Sequence, residues 1–109
     1  MGVFVGSVVW NVSDIARATE FWSRALRYVP QPDNPAFLAP ENGAGPRLHL
    51  DRDDRMHLDL WVDRQESDLQ TEVERLISLG ATRVDWDYPE GADFVVLADT
   101  EGNLFCVIA

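Results

Sequence analysis

The sequence predicts an α+β fold of two tandem βαβββ modules, forming a half-open β-barrel around a central cavity with the helices outside. Three observations carry this prediction. HLDLWV, His57 to Val62, repeats the pattern of SVVWNV, Ser7 to Val12, fifty positions earlier. Each copy alternates in polarity with the period of a half-buried strand. Each is followed by a helical pattern and then by three more strand patterns, so a single domain of 109 residues divides into module one, about 1–52, and module two, about 56–109.

In the first copy Val8, Trp10 and Val12 face the core, matched by Leu58, Leu60 and Val62 in the second. After the first strand, Ser13 or Asp14 caps a helix whose Ile15, Ala18, Trp22, Ala25 and Leu26 share one side. Five of the six prolines lie between Tyr28 and Pro46. Short strands are expected there around Tyr28 and at Ala36 to Leu38, the second followed by a turn through ENGAG. RLHLD alternates again, with Leu48 and Leu50 inward and Arg47, His49 and Asp51 opposite. The charged link RDDR, 52–55, leads into His57. Ser67 with Gln70 reads as a capping box before a helix with Leu69, Val73, Leu76 and Ile77 in one stripe, closed by Gly80. Strands follow at ATRVDWDY, DFVVLAD and LFCVIA, the last two joined by a turn through TEGN.

Apolar and charged contents of 46% and 26% are those of an ordinary globular chain. Nine basic against nineteen acidic residues give a net charge of -10. Such a surface repels phosphate backbones, which argues against nucleic acid, and favours neutral or cationic ligands. No apolar run approaches the roughly 20 residues that span a bilayer, which argues against a membrane partner. The N-terminal stretch runs straight into a strand pattern, so no secretory signal is expected. The single cysteine, Cys106, excludes an internal disulfide and suits a reducing cytoplasm.

The chemistry is expected on the second strand face, where Ser7, Val9 and Asn11 correspond to His57, Asp59 and Trp61. Aligning the fourth and eighth strands pairs Asp51 with Cys106, Leu50 with Phe105 and His49 with Leu104. On that register Ser7, Asp51, His57 and Cys106 meet at the cavity floor. HLD occurs at 49–51 and again at 57–59, so His49 and Asp59 are further candidates for ligand contact, with a carboxylate orienting each imidazole. Trp61 shares a face with His57 and Asp59, and Trp86 lies among acids in VDWDY. Aromatic walls beside carboxylates suit flat or cationic guests. Trp10 and Trp22 fall on core positions.

NVSDIARATEFWSRAL resembles the first strand-helix unit of the glyoxalase/bleomycin-resistance proteins of the vicinal oxygen chelate superfamily. RMHLDLWV, RLISLGATRV and LADTEGNLFCVIA resemble its second half. The resemblance implies paired modules, often assembled as homodimers, and an exposed edge strand near Asn34 to Leu38 is available for such pairing. It also implies a divalent cation in the metal-dependent members, held by histidine and glutamate from the first and last strands of each half. Carried over, the tetrad is Ser7, Asp51, His57 and Cys106, and only His57 matches the usual ligand type.

This departure favours a small-molecule binder without a full metal tetrad, taking a neutral or cationic guest with Ser7, Asn11, His49, Asp59, Trp61 and Trp86 as contacts. The alternative is a metal-dependent lyase, isomerase or dioxygenase in which His57 and Asp51 are catalytic. Asp51, His57 and Cys106 would then hold zinc, because a thiolate shifts preference away from magnesium or manganese.

Overall fold

The computed structural model describes residues 2–109. Its elements run β1 (Val3–Asn11), α1 (Ile15–Leu26), β2 (Tyr28–Pro30), β3 (Phe37–Pro40), β4 (Arg47–Asp51), β5 (His57–Val62), α2 (Leu69–Ser78), β6 (Thr82–Arg83), β7 (Phe94–Ala98) and β8 (Leu104–Ile108). The chain is therefore α+β, with the βαβββ order twice over. No helix among the described residues is long and apolar enough to cross a membrane.

Two compact units divide the chain. In the unit Gly6–Met56 the strands run in the order β2-β3-β4-β1. β1 and β4 are parallel, with Ser7 opposite Arg47, Val9 opposite His49 and Asn11 opposite Asp51. Leu38, Leu48 and Leu50 are buried, and Val8, Trp10, Val12, Ile15, Ala18 and Trp22 pack against them. Asp14 caps α1 by accepting from the Arg17 N–H at 3.0 Å, the role that a short carboxylate fills at a helix start. The apolar stripe of α1 ends at Trp22, because Ala25 and Leu26 are exposed. The chain leaves α1 through Arg27 at φ 56° and ψ 44°, the left-handed region that costs an L-residue about 1–2 kcal/mol. β3 lies between β2 and β4. The edge on this side of the unit is thus β2, and the stretch Asn34 to Leu38 is not the exposed edge that the sequence pattern suggested.

The second unit takes in the described residues up to Val5 together with His57–Ala109. Its strands run β5-β8-β7-β6. Val62, Val73, Leu97 and Val107 are buried together, with Leu69, Leu76 and Ile77 of α2 against them. Leu58 is exposed and Leu60 half-buried, so of the three apolar positions expected on β5 Val62 is the one fully buried in this core. Asp68, not Ser67, caps α2 by accepting from the Thr71 N–H at 2.8 Å. Ser67 instead donates to the Glu72 carboxylate at 2.7 Å. Gly80, at φ 120°, closes α2 with two return bonds, Gly80 N–H to Ile77 C=O at 3.0 Å and Ala81 N–H to Leu76 C=O at 3.1 Å, a Schellman ending.

β6 is only two residues long, shorter than ATRVDWDY suggests. Alternating aspartates before Pro89 are poor strand formers. The Tyr88 hydroxyl instead accepts from the Val96 N–H at 2.8 Å and so satisfies part of the β7 edge. The TEGN turn closes on Asp99, whose carboxylate accepts from the Glu101 N–H at 2.8 Å and the Asn103 N–H at 2.9 Å. Those amides, Asn103 first, hold the Asp99 carboxyl below the ordinary aspartate range.

Candidate functional site

Strand geometry places the candidate site. Residues two apart on a strand share a face, so His57 and Asp59 project side by side from β5. β5 and β8 are parallel, and Asp59 stands opposite Cys106. The result is a mixed cluster: ligand atoms of His57, Asp59 and Cys106 all lie within 4.8 Å of one another. His57 Nε2 is 3.1 Å from Asp59 Oδ1, and the two side chains are only 9% and 13% exposed. Trp61 follows on the same face, its ring edge-on to Phe4 at 6.1 Å between centroids.

The pairings correct the expected register. Val9 faces His49 on β4, as Asp59 faces Cys106 on β8. With Ser7 equivalent to His57, His49 is the counterpart of Cys106, and Asp51 that of Ile108. The expected alignment was out by two residues, a shift that conserves face and therefore leaves the alternation unchanged. The acid that joins His57 and Cys106 is Asp59. Asp51 belongs to the other unit, where its Oδ1 accepts from the Asp53 N–H at 2.8 Å and the Asp54 N–H at 3.0 Å.

The remaining candidates have local roles. Asn11 donates to the carbonyls of Arg52 at 3.3 Å and Asp54 at 2.6 Å, and so ties down the same RDDR link. Ser7 is fully buried, and its Oγ has no hydrogen-bond partner among the described residues. His49 stacks on Phe37 with ring centroids 4.0 Å apart, and its Nε2 is 3.7 Å from Asp51 Oδ2. Trp86 is 42% exposed in the irregular stretch after β6. The spacing His-x-Asp on one strand ties Asp59 to His57 without any assumption about register, as it ties Asp51 to His49.

The cluster offers two kinds of chemistry. A carboxylate beside an imidazole fixes ring orientation and supports proton transfer. An imidazole nitrogen, a carboxylate oxygen and a thiol sulfur also form a donor set that suits a zinc-like ion. Tetrahedral zinc separates its donors by about 3.5 Å, given bonds near 2.0–2.3 Å, so the three groups fit such an ion after side-chain shifts on the order of 1 Å.

A family model described as a glyoxalase-like domain matches residues 7–108. No curated protein matches the chain. Among solved structures, the chain is similar to one described as the NAD-dependent benzaldehyde dehydrogenase from Legionella pneumophila, at 17% identity and a TM-score of 0.64, covering 94% of this chain and 96% of that one. At that identity the likeness concerns the fold alone. Another is a member of the glyoxalase/bleomycin resistance protein/dioxygenase superfamily from Sphaerobacter thermophilus, at 20% identity and a TM-score of 0.38, covering 96% of this chain and 95% of that one.

Proposed function

Since the chain belongs to the glyoxalase-like domain family, we propose that it binds a small neutral or cationic molecule on the polar face of β5 and β8, with His57 and Asp59 as the proton-handling pair. The observation that supports this reading is the 3.1 Å approach of two side chains that are nearly withdrawn from water. A buried imidazole-carboxylate pair gives a guest both a donor and an acceptor. The net charge of -10 draws in cations and repels anions at long range. Trp61 adds an aromatic surface beside the pair, suited to a flat or quaternary ammonium group. The test is a titration with small quaternary ammonium ions, followed by tryptophan fluorescence. A saturable change, weakened at least about tenfold in Asp59→Asn as expected for a lost charged contact, supports the reading. No saturable response to any of them sinks it.

The convergence of His57, Asp59 and Cys106 favours a second reading, a metal-dependent lyase, isomerase or dioxygenase. These three side chains would hold the ion, which would supply Lewis-acid polarisation of a substrate oxygen. His57 and Asp59 enter from β5 and Cys106 from β8, opposite Asp59. Elemental analysis of protein purified without a metal-affinity tag separates the readings: about one equivalent of a transition metal, lost in His57→Ala, supports the enzyme.

Two further assignments belong to this proposal. The single cysteine suits the reducing cytoplasm. Homodimer formation rests on family habit, and sedimentation of the intact chain tests it.

A further inference from the structure

In the unit Gly6–Met56, a cleft of about 220 Å³ is lined by Val8, Trp10 and Leu48 from the strands, by Trp22 from α1, and by Tyr28 and Pro46. Trp10 and Trp22 meet edge to face at 5.9 Å, so the apolar wall is aromatic and braced. The Tyr28 hydroxyl donates to the Pro46 carbonyl at 2.9 Å, which brings the polar end of the tyrosine to a second residue of the lining. Arg47 borders the cleft but turns its side chain away. Alternation puts that side chain on the opposite face of β4 from Leu48, where its guanidinium carbon lies 4.4 Å from the centroid of the Phe37 ring. No other charged residue among the described ones lines the cleft, and none of the lining belongs to the His57 cluster.

Size, charge and hydrogen-bonding capacity together define the guest. An apolar cavity of about 150 Å³ takes benzene, so this cleft admits one six-membered ring with a short substituent. It is smaller than the roughly 300–1,000 Å³ of sites for drug-sized molecules. With no charged group facing inward, an ion would lose its hydration and gain no partner, which favours a neutral guest. What is polar in the lining can only accept. The Tyr28 hydroxyl has its one proton on the Pro46 carbonyl, while its own oxygen and that carbonyl each keep accepting capacity. The geometry points to a second ligand site, in the first module, for a small neutral ring that carries one O–H or N–H donor, of the phenol or aniline class: the ring lies against Trp10 and Trp22, and its donor reaches the Tyr28 and Pro46 oxygens.

The test is a titration of the full chain with phenol, benzonitrile, benzoate and benzylamine, followed by the indole N–H resonances. The first two are neutral single rings, one a donor and one an acceptor only; the last two are an anion and a cation. Phenol is expected to shift Trp10 and Trp22 saturably and to bind about fivefold more tightly than benzonitrile, the scale of one neutral hydrogen bond. Benzoate and benzylamine are expected to bind at least about tenfold more weakly than phenol, as for ions without a partner. Val8→Phe, which fills the cleft, is expected to abolish the phenol shifts. Benzonitrile or either ion binding as tightly as phenol, shifts confined to Trp61 or Trp86, phenol shifts that persist in Val8→Phe, or no saturable shift with phenol would each overturn the assignment. So would movement of the Trp10 and Trp22 resonances with protein concentration alone, which would mean that a second copy of the chain fills the cleft. The ligand series on the unaltered protein decides the matter even where Val8→Phe does not fold.

Discussion

His57 and Asp59 sit two positions apart on one strand face, with Nε2 and Oδ1 3.1 Å apart. The backbone sets that juxtaposition, since the period of a strand brings alternate side chains to one side. Cys106 joins them from the neighbouring strand because β5 and β8 are paired in parallel at Asp59. A site on paired strands is held more firmly than one on loops.

The donor set makes a prediction about cobalt. Loaded with cobalt(II), the protein is expected to show a thiolate-to-metal charge-transfer band that disappears in Cys106→Ser and His57→Ala. Asp59→Asn, which takes the negative charge from one of the three ligands, is expected to weaken metal binding by at least the roughly tenfold that loss of a supporting carboxylate costs. Cobalt bound without any such band in the unaltered protein, or a band that persists in His57→Ala, would place the metal elsewhere.

Glu72 links pH to stability. Its buried carboxylate accepts from the Ser67 hydroxyl at 2.7 Å, from Arg75 at 2.9 and 3.1 Å and from the Gly2 N–H at 3.2 Å. These donors, Ser67 first, hold it below the ordinary glutamate value of 4.5. A carboxylate with a lower pKa in the folded state contributes stability that is present above the unfolded value and lost as pH falls through the folded one. Glu72→Gln is expected to cost roughly 1–3 kcal/mol at pH 7. The gap between the two proteins should narrow as urea unfolding is repeated below pH 4.5, and a gap independent of pH would contradict the linkage.

Arg27 is the one non-glycine residue with positive φ among the described residues. Arg27→Gly relieves its crowding, partly offset by glycine's greater freedom in the unfolded chain. The net expectation is a gain of up to about 1 kcal/mol, read as a higher thermal midpoint. A lower midpoint would mean that the arginine side chain contributes more than its backbone costs.

Asn11→Ala should separate a structural role from a binding one. Loss of its two bonds to the RDDR link is expected to cost about 1 kcal/mol and to speed amide exchange at 52–55. Affinity for quaternary ammonium ions should stay as it was. A large loss of affinity with normal exchange would return Asn11 to the list of ligand contacts.

Much of the fold was legible because polarity and turn chemistry agreed. The βαβββ repeat, the α2 stripe and the Gly80 ending all have local causes. The phase of β4 against β1, and of β8 against β5, did not. LFCVI is apolar on both faces, so nothing within it marks a register, and a slip of two residues conserves the pattern. That slip placed Asp51 in the cluster where Asp59 stands. The strand pattern gives Asp51 and Asn11 only a face, and the Ser67 motif hides its neighbour Asp68, whereas short polar side chains at strand and helix ends serve nearby backbone amides and carbonyls first. Nothing local marks Arg27 as left-handed, since arginine is an ordinary helix former.

The corrected alignment of the two copies leaves an asymmetric inheritance. Ser7, Val9 and His49 occupy the register positions that His57, Asp59 and Cys106 occupy in the other half, so two exchanges, Ser7→His and Val9→Asp, would give the first half a polar trio of its own. Each half can therefore drift under its own constraint, and the molecule carries its own comparison between a scaffold that keeps reactive side chains and one that has filled the same places with packing.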